Sequence, residues 1–250
     1  MRSLGAGHRH ANCAIDGGDS RTGDPDSGCE MNRSAQAMTA AQLLRARRIL
    51  MSRDPVLGAI IKRRGQCGLR TARDPDIYHG LIQSIISQQL STKAAATIHG
   101  RFMALLPGKG AAAPHSVLSL SDDALRRVGL SRQKMSYLRD LSQRVLDGSL
   151  QTDAIASLND DEVVEALTRV KGVGRWTAEM ILIFRLLRPD ILPVGDLGIV
   201  KAIQKAYGLR KPPDTRRMMK IAEPWRPYRS VASWYLWASL ESKQEVRSEK

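Results

Sequence analysis

The sequence predicts an all-α protein. Three observations lead to that reading. Apolar residues recur at three- and four-residue spacing from residue 41 to residue 240. Short polar residues that start helices (Ser, Thr, Asp, Asn) stand just ahead of these runs. No stretch alternates apolar and polar residues for long enough to make a strand. Of 250 residues, 42% are hydrophobic, enough for a real core, but only 4% are aromatic, so each of the four tryptophans carries weight. The formal charge is +14, from 39 basic and 25 acidic residues. Such an excess says nothing about fold but favours a polyanionic partner.

Residues 1–40 are rich in Gly, Ser, Asp, Arg and Asn without apolar periodicity. They cannot bury enough surface to offset their ordering entropy, so a disordered leader is expected there. The helical domain is expected over 41–241, followed by a charged tail, 242–250. Cys13, Cys29 and Cys67 share no metal-ligand spacing and are too few for a disulfide framework. A reducing compartment, cytoplasmic or nuclear, is expected. No apolar run is long enough for a membrane helix, and no apolar signal core opens the chain.

Within the domain, Leu43, Leu44, Leu50, Leu57, Ile60 and Ile61 follow a helical period that breaks at Asp54-Pro55, where proline suits a helix start. The basic residues between Arg45 and Arg70 make either a solvated face or a phosphate-facing edge. Asp74-Pro75-Asp76 precedes a helix over 77–89, with Ile77, Leu81, Ile85 and Ile86 on one face. That helix runs out in the turn Gln88-Gln89-Leu90-Ser91, and another is predicted over 92–106. After a loop at 108–114, Ser121 caps a helix over 122–128, and Ser131 caps one over 132–146. Asn159 caps 160–170. Asp196 sits where an N-cap is needed for a helix over 197–207. A closing helix is predicted over 225–237, entered through Pro224 and Pro227, with Val231, Leu236 and Leu240 inward. Tyr228 reads as core. Arg210, Lys211, Arg216, Arg217 and Lys220 form either a phosphate rim or a solvated face.

The most informative stretch is VKGVGRWTAEMILIFRLLRPDILPVGDLGI, residues 170–199. Gly172 and Gly174 lie between two predicted helices, not after a strand, which argues against a dinucleotide or P-loop site. Two glycines let the backbone turn sharply and approach a ligand closely. The following helix opens with Arg175-Trp176-Thr177 and presents unpaired N–H groups to an anion. Such a corner is more often purely structural.

VKGVGRWTAEMIL followed by LPVGDLGI resembles the helix-hairpin-helix plus Gly/Pro-Asp signature of the base-excision DNA glycosylase superfamily, with the motif at about 160–187. SIISQQLSTKAA, VGLSRQKMSYL and WRPYRSVASWYLW are similar to segments of the 3-methyladenine DNA glycosylase II family. The resemblance spans roughly residues 43–240. It implies two helical lobes with the active cleft between them, and a monomer acting on double-stranded DNA that contains alkylated bases.

By position, the resemblance makes Asp196 the catalytic carboxylate, Trp176, Met180 and Trp234 the base pocket, and Trp237 a less favoured neighbour. It gives phosphate the main-chain N–H groups of Gly172, Gly174 and Thr177. Gln89 or Leu90 becomes the wedge that fills the gap left by an extruded nucleotide, with Ser91 alongside. It further implies a structural Na+ or K+ on the carbonyls of Thr168, Val170 and Val173, with no cofactor required. Bifunctional relatives carry a lysine where Trp176 stands, and tryptophan has no nucleophilic amine. The expected activity is therefore monofunctional hydrolysis of the N-glycosidic bond of alkylated purines such as 3-methyladenine and 7-methylguanine. The competing readings are a non-catalytic helix-hairpin-helix DNA-binding module, and a glycosylase/lyase for oxidised or mismatched bases.

Overall fold

Helix starts are written into the sequence, and the computed structural model, which describes residues 37–69, 76–107 and 112–240, uses them. Thr39 and Gln42 close a reciprocal capping box at the start of α1 (Ala40–Arg53). Asp54 then caps α2 (Pro55–Arg64) through the Val56 and Leu57 amides. Asp76 caps α3 (Ile77–Ser87), Ser91 caps α4 (Thr92–Met103), Ser121 caps α6 (Asp122–Arg127) and Ser131 caps α7 (Arg132–Leu146). Between α4 and α6 lies α5 (Pro114–Ser119), which starts on proline. Asn159 and Glu162 form a second capping box on α8 (Asp160–Thr168). Then come α9 (Arg175–Phe184), α10 (Leu197–Ala206), α11 (Thr215–Ala222) and α12 (Arg229–Leu240). Among the described residues there is no strand.

Several expected boundaries are corrected. Met38 is buried, with its N–H on the Leu187 carbonyl, so the folded domain starts before residue 41. The rest of the expected leader, Cys13 and Cys29, and the expected tail lie outside the described residues, as do Asp74-Pro75 and 108–111. α3 stops at Ser87 because Gln89 adopts φ 58, which no helix continues. α9 stops at Phe184, short of 187, where Leu187 takes φ 50. The closing helix starts at Arg229, not at 225. Trp225 belongs instead to a 3-10 turn, Glu223–Trp225, and is fully buried. Leu240 is exposed rather than inward. Neither α5 nor α11 was expected, since six and eight residues leave too short a period to read.

The principal helix packings divide into two sets. In one, α3 packs on α4, α7 and α9, α7 packs on α5 and α6, and α8 packs on α9. In the other, α1, α2 and α12 pack on one another and α10 packs on α12. These are the two lobes, one from the middle of the chain and one from its two ends. Asp54 secures the second lobe internally. Besides capping α2, its Oδ2 accepts the Trp225 indole N–H at 2.8 Å and the Tyr207 hydroxyl. The carboxylate is buried, so the four donors replace the water it has lost.

The segment joining the lobes, 185–196, is fixed at both ends. Arg188, fully buried, donates to the carbonyls of Ala156 and Leu158 and lies 3.5 Å from Asp160, just before and within α8. Asp190 accepts from Arg226 and Arg229, at 2.7 and 2.8 Å, at the entry to α12. Ser230 accepts from the Ile191 amide at 2.9 Å. Asp196, at the end of this segment, is thus set by contacts to both lobes.

His79 on α3 and His99 on α4 meet edge to face, 5.2 Å apart. Burial lowers the His99 pKa below 6.5, and the neighbouring His79 and Arg185 lower it further. The unfolded chain therefore takes up this proton first as pH falls. The contribution is fully present above the ordinary histidine value and is lost as pH falls through the folded value. The melting temperature should drop between about pH 7.5 and about pH 5, and drop less in His99→Leu. Equal drops in the two proteins would contradict this assignment.

Candidate active site

The glycine corner is built from the far side inward. α8 ends at Thr168, and the chain turns through Val170, whose carbonyl accepts the Val173 amide at 3.1 Å. Gly172 takes φ +78, and a Cβ there would sit 2.1 Å from the Tyr137 ring. Glycine is thus required twice, for backbone conformation and for room. Gly174 differs. Its φ is −95, a Cβ there would meet nothing within 4 Å, and it gives α9 no side-chain cap. The first-turn amides of α9 therefore lack both intrahelical and side-chain acceptors at this end.

Three ties fix the corner to its lobe. Asp140 on α7 accepts the Lys171 amide and the Arg144 guanidinium, each at 2.9 Å. Burial pushes the Asp140 pKa up, but these donors and the charges of Arg144 and Lys171 outweigh it and hold the group below its ordinary value. Tyr137 stacks on Gly172 and accepts from Gln133 at 2.6 Å. Gln88, from the turn after α3, donates to the Gly172 carbonyl at 2.8 Å.

Asp196 caps α10, its Oδ1 accepting the Ile199 amide at 2.7 Å. The same oxygen accepts the Trp237 indole N–H at 2.8 Å, and Oδ2 accepts the Trp176 indole N–H at 2.7 Å. Two tryptophans from different lobes thus clamp one half-buried carboxylate. Gly198 makes space for the clamp, since a Cβ there would lie 2.9 Å from Asp196 Oδ1 and 3.1 Å from the Trp237 ring. Glu179 is a second carboxyl nearby, buried and paired with Arg175 at 3.1 Å. Burial raises its pKa, Arg175 opposes the rise, and the charge of Asp196 adds to it.

Trp176 also belongs to a cavity of about 680 Å³. Met180 lies one turn further along the same face of α9, and Phe184 one turn beyond that. Gln89, Leu90, Tyr137 and Gly172 complete the parts of the wall that matter here. Trp176 is 48% exposed, so its ring faces open space while its N–H is bonded. Phe184 in turn packs on Trp237, with ring centres 5.6 Å apart. The result is an aromatic wall that runs from the cavity to the carboxylate.

The structure brings together most of the expected site residues. Asp196, Trp176 and Met180 share one region, and Gln89, Leu90, Gly172 and Thr177 line the same cavity. Ser91 lies one residue beyond, serving as the cap of α4. Thr177 is itself buried. Trp234, expected in the base pocket, is not among the residues that line this cavity. Its ring packs against Gly68, where a Cβ would be 2.6 Å away, and edge to face on Tyr235. Trp237, expected to be only a neighbour, holds Asp196 instead. The two tryptophans are three residues apart, and sequence spacing alone could not say which one faces α10. Gln88, Tyr137, Phe184 and Glu179 escaped the sequence reading. Gln88 had a signal, as one half of a glutamine pair at a helix end; Glu179 had none.

The two glycines should respond differently to alanine. Gly172→Ala meets the Tyr137 ring and a left-handed backbone, which alone costs about 1–2 kcal/mol. Gly174→Ala meets no clash and should cost less, about 0.5–1 kcal/mol, because alanine is a poorer N-cap than glycine. Urea unfolding of both variants checks this, and equal losses would contradict the description of the corner.

Comparison with known proteins agrees with this architecture. Residues 82–227 match the family described as HhH-GPD superfamily base excision DNA repair protein. DNA-3-methyladenine glycosylase 1 of Schizosaccharomyces pombe is 34% identical over 67% of this chain and 74% of its own. The alkylbase DNA glycosidase-like protein mag2 of the same yeast is 31% identical over 77% of this chain and 92% of its own. The structure of the S. pombe 3-methyladenine DNA glycosylase in complex with abasic DNA superposes with a TM-score of 0.70 at 31% identity, covering 80% of this chain and 98% of that one. DNA-3-methyladenine glycosidase from Bacillus halodurans gives a TM-score of 0.70 at 34% identity, over 80% and 91% of the two chains. With more than half its length matched and relatives of this likeness, the chain belongs to the HhH-GPD superfamily of base excision DNA repair proteins, and within it to the 3-methyladenine DNA glycosylase family.

Proposed function

We propose that this protein is a monofunctional DNA glycosylase that hydrolyses the N-glycosidic bond of alkylated purines in duplex DNA and leaves an abasic site. The observation that carries the reading is the clamped carboxylate of Asp196 at the end of an aromatic wall.

The reacting bond is out of reach inside a duplex, so the nucleotide must leave the stack. The main-chain N–H groups of Gly172, Gly174 and Thr177 are the phosphate donors in this reading, aided by the positive end of α9. The exposed Leu90 and the neighbouring Gln89 are the wedge. A base alkylated at N3 or N7 carries positive charge, and an aromatic face attracts a cation by roughly 0.5–2 kcal/mol. Trp176 supplies such a face, with Met180 and Phe184 beside it. Breaking the bond then moves positive charge onto the sugar.

Asp196 answers that charge. Two hydrogen bonds fall on its Oδ1 and one on its Oδ2. Its main role in this reading is that of a fixed anion facing the developing cation, preorganised and with little freedom to turn away. A free lone pair on Oδ2 remains to orient the attacking water. The chemistry asks for no redox cofactor. Trp176 offers no amine for a covalent adduct, so strand cleavage is not expected.

A structural Na+ or K+ is part of the proposal. The last turn of α8 holds no basic side chain, and its C-cap Arg169 turns its guanidinium to Glu165. The carbonyls of Thr168, Val170 and Val173 are hard oxygen donors at that end, and Val170 keeps a second lone pair beside its bond to Val173. Such an ion would offset a phosphate's charge and takes no part in the hydrolysis. The expected state is a monomer, cytoplasmic or nuclear because its substrate is DNA. No helix among the described residues is long and apolar enough to cross a membrane.

The test is release of 7-methylguanine from methylated duplex DNA. Asp196→Asn keeps an oxygen for the Ile199 amide and removes the charge, so release should fall by about 10²–10³-fold with DNA binding kept. Borohydride should trap no covalent adduct. Equal release by both proteins would overturn the role of Asp196. Binding without any release by the wild type would favour a non-catalytic module, and a trapped adduct would favour a lyase.

A further inference from the structure

The turn that carries Leu90 is held by more than its own chain. α3 ends at Ser87, and the next two residues leave the helix, Gln88 at φ −50, ψ 130 and Gln89 at φ 58. A left-handed glutamine is a sparsely populated conformation that surrounding contacts must maintain. The Leu90 amide bonds back to Ser87, but a single backbone bond leaves the last carbonyls of α3 without helical donors.

Lys134 supplies them. It reaches from the first turn of α7, and its ammonium donates to the carbonyls of Ile86 at 2.7 Å and Gln88 at 2.8 Å. Both bonds go to main-chain oxygens, not to a carboxylate. The charge lies at the negative end of the α3 dipole, where a cation is stabilising. Burial lowers the Lys134 pKa, as it should for an ammonium held by carbonyls away from water. From the other side, the Gln88 side chain donates to the Gly172 carbonyl at 2.8 Å. The turn bearing Leu90 is therefore linked to α7 by Lys134 and to the glycine corner by Gln88. Tyr137, one turn along α7 from Lys134, closes the ring by stacking on Gly172.

We propose that Lys134 and Gln88 are positioning residues for base extrusion, holding the Gln89–Leu90 turn at a fixed place relative to the Gly172 corner. This rests on the glycosylase reading above. Extrusion needs two actions at one set distance, a grip on the phosphate and a wedge in the stack. A wedge on a free turn would yield when pushed against paired bases. Lys134 and Gln88 remove that freedom; both border the cavity, but their polar groups are spent on the main-chain carbonyls of Ile86, Gln88 and Gly172, not on the reacting bond. Their loss should therefore harm the opening of a paired site and spare the chemistry.

The experiment compares one lesion in two settings, a 7-methylguanine paired with cytosine and the same base in an unpaired bulge, under single turnover. A parallel duplex with 2-aminopurine next to the lesion reports extrusion by its fluorescence. Lys134→Met and Gln88→Ala should each slow release from the paired site by about ten- to a hundredfold, with release from the bulge little changed. The fluorescence rise should shrink in both. Gln88→Ala leaves the interior of α3 and α7 untouched, so it decides the matter should Lys134→Met fold poorly. Equal slowing on both substrates, or no slowing on either, overturns the positioning role. Should the wild type release no base from either substrate, the glycosylase reading fails, and the fluorescence comparison still decides whether these residues place the turn.

Discussion

The carboxylate of Asp196 receives three N–H groups, one from the start of its own helix and two from tryptophans on helices of different lobes. Much of the molecule serves this convergence. Trp176 comes from α9, Trp237 from α12, and the carboxylate from the last residue of the segment that joins the lobes. A shift of one lobe against the other would break one indole bond and leave a half-buried carboxylate short of a donor, at a cost of about 1–3 kcal/mol. The clamp therefore depends on lobe placement and also reports it. The fastening of residues 185–196 by Arg188, Asp190 and Ser230 is best understood in that light.

A second constraint is the close approach of Tyr137 to Gly172. No other residue type fits at that point of the corner. The packing sets the direction of the corner and leaves the start of α9 uncapped by any side chain. An uncapped start is ordinarily a loss of about 1 kcal/mol. It becomes useful when the missing acceptor is a ligand. The helix thus gives up some stability where it would bind phosphate, and the capping boxes of α1 and α8 show that this chain can cap helices fully elsewhere.

The features legible in the sequence were those with local causes. Ser121, Ser131, Asn159 and Asp196 each announced a helix start, because a cap acts within three residues, and Pro55 announced another. The glycine corner was legible for the same reason. Contacts between distant segments were not. Asp54 read as a helix break, yet it also binds Trp225 and Tyr207, 171 and 153 positions away. Trp237 and Trp234 differ by three residues on one helix, and only the packing of α12 on α10 decides which meets Asp196. Lys134 had no local signal, since its two carbonyl partners lie 48 and 46 positions away. α5 and α11 were too short for periodicity to mark.

The geometry describes a site that holds one negative charge still and surrounds its approach with aromatic faces. Its central claim is that Asp196 stabilises positive charge on the sugar of an extruded nucleotide. The most direct measurement is the affinity for duplexes that carry, at the lesion position, either a cationic pyrrolidine or a neutral tetrahydrofuran in place of the sugar. The account predicts that the wild type prefers the cationic ring and that Asp196→Asn loses the preference while binding the neutral duplex equally well. The same preference in both proteins would contradict it.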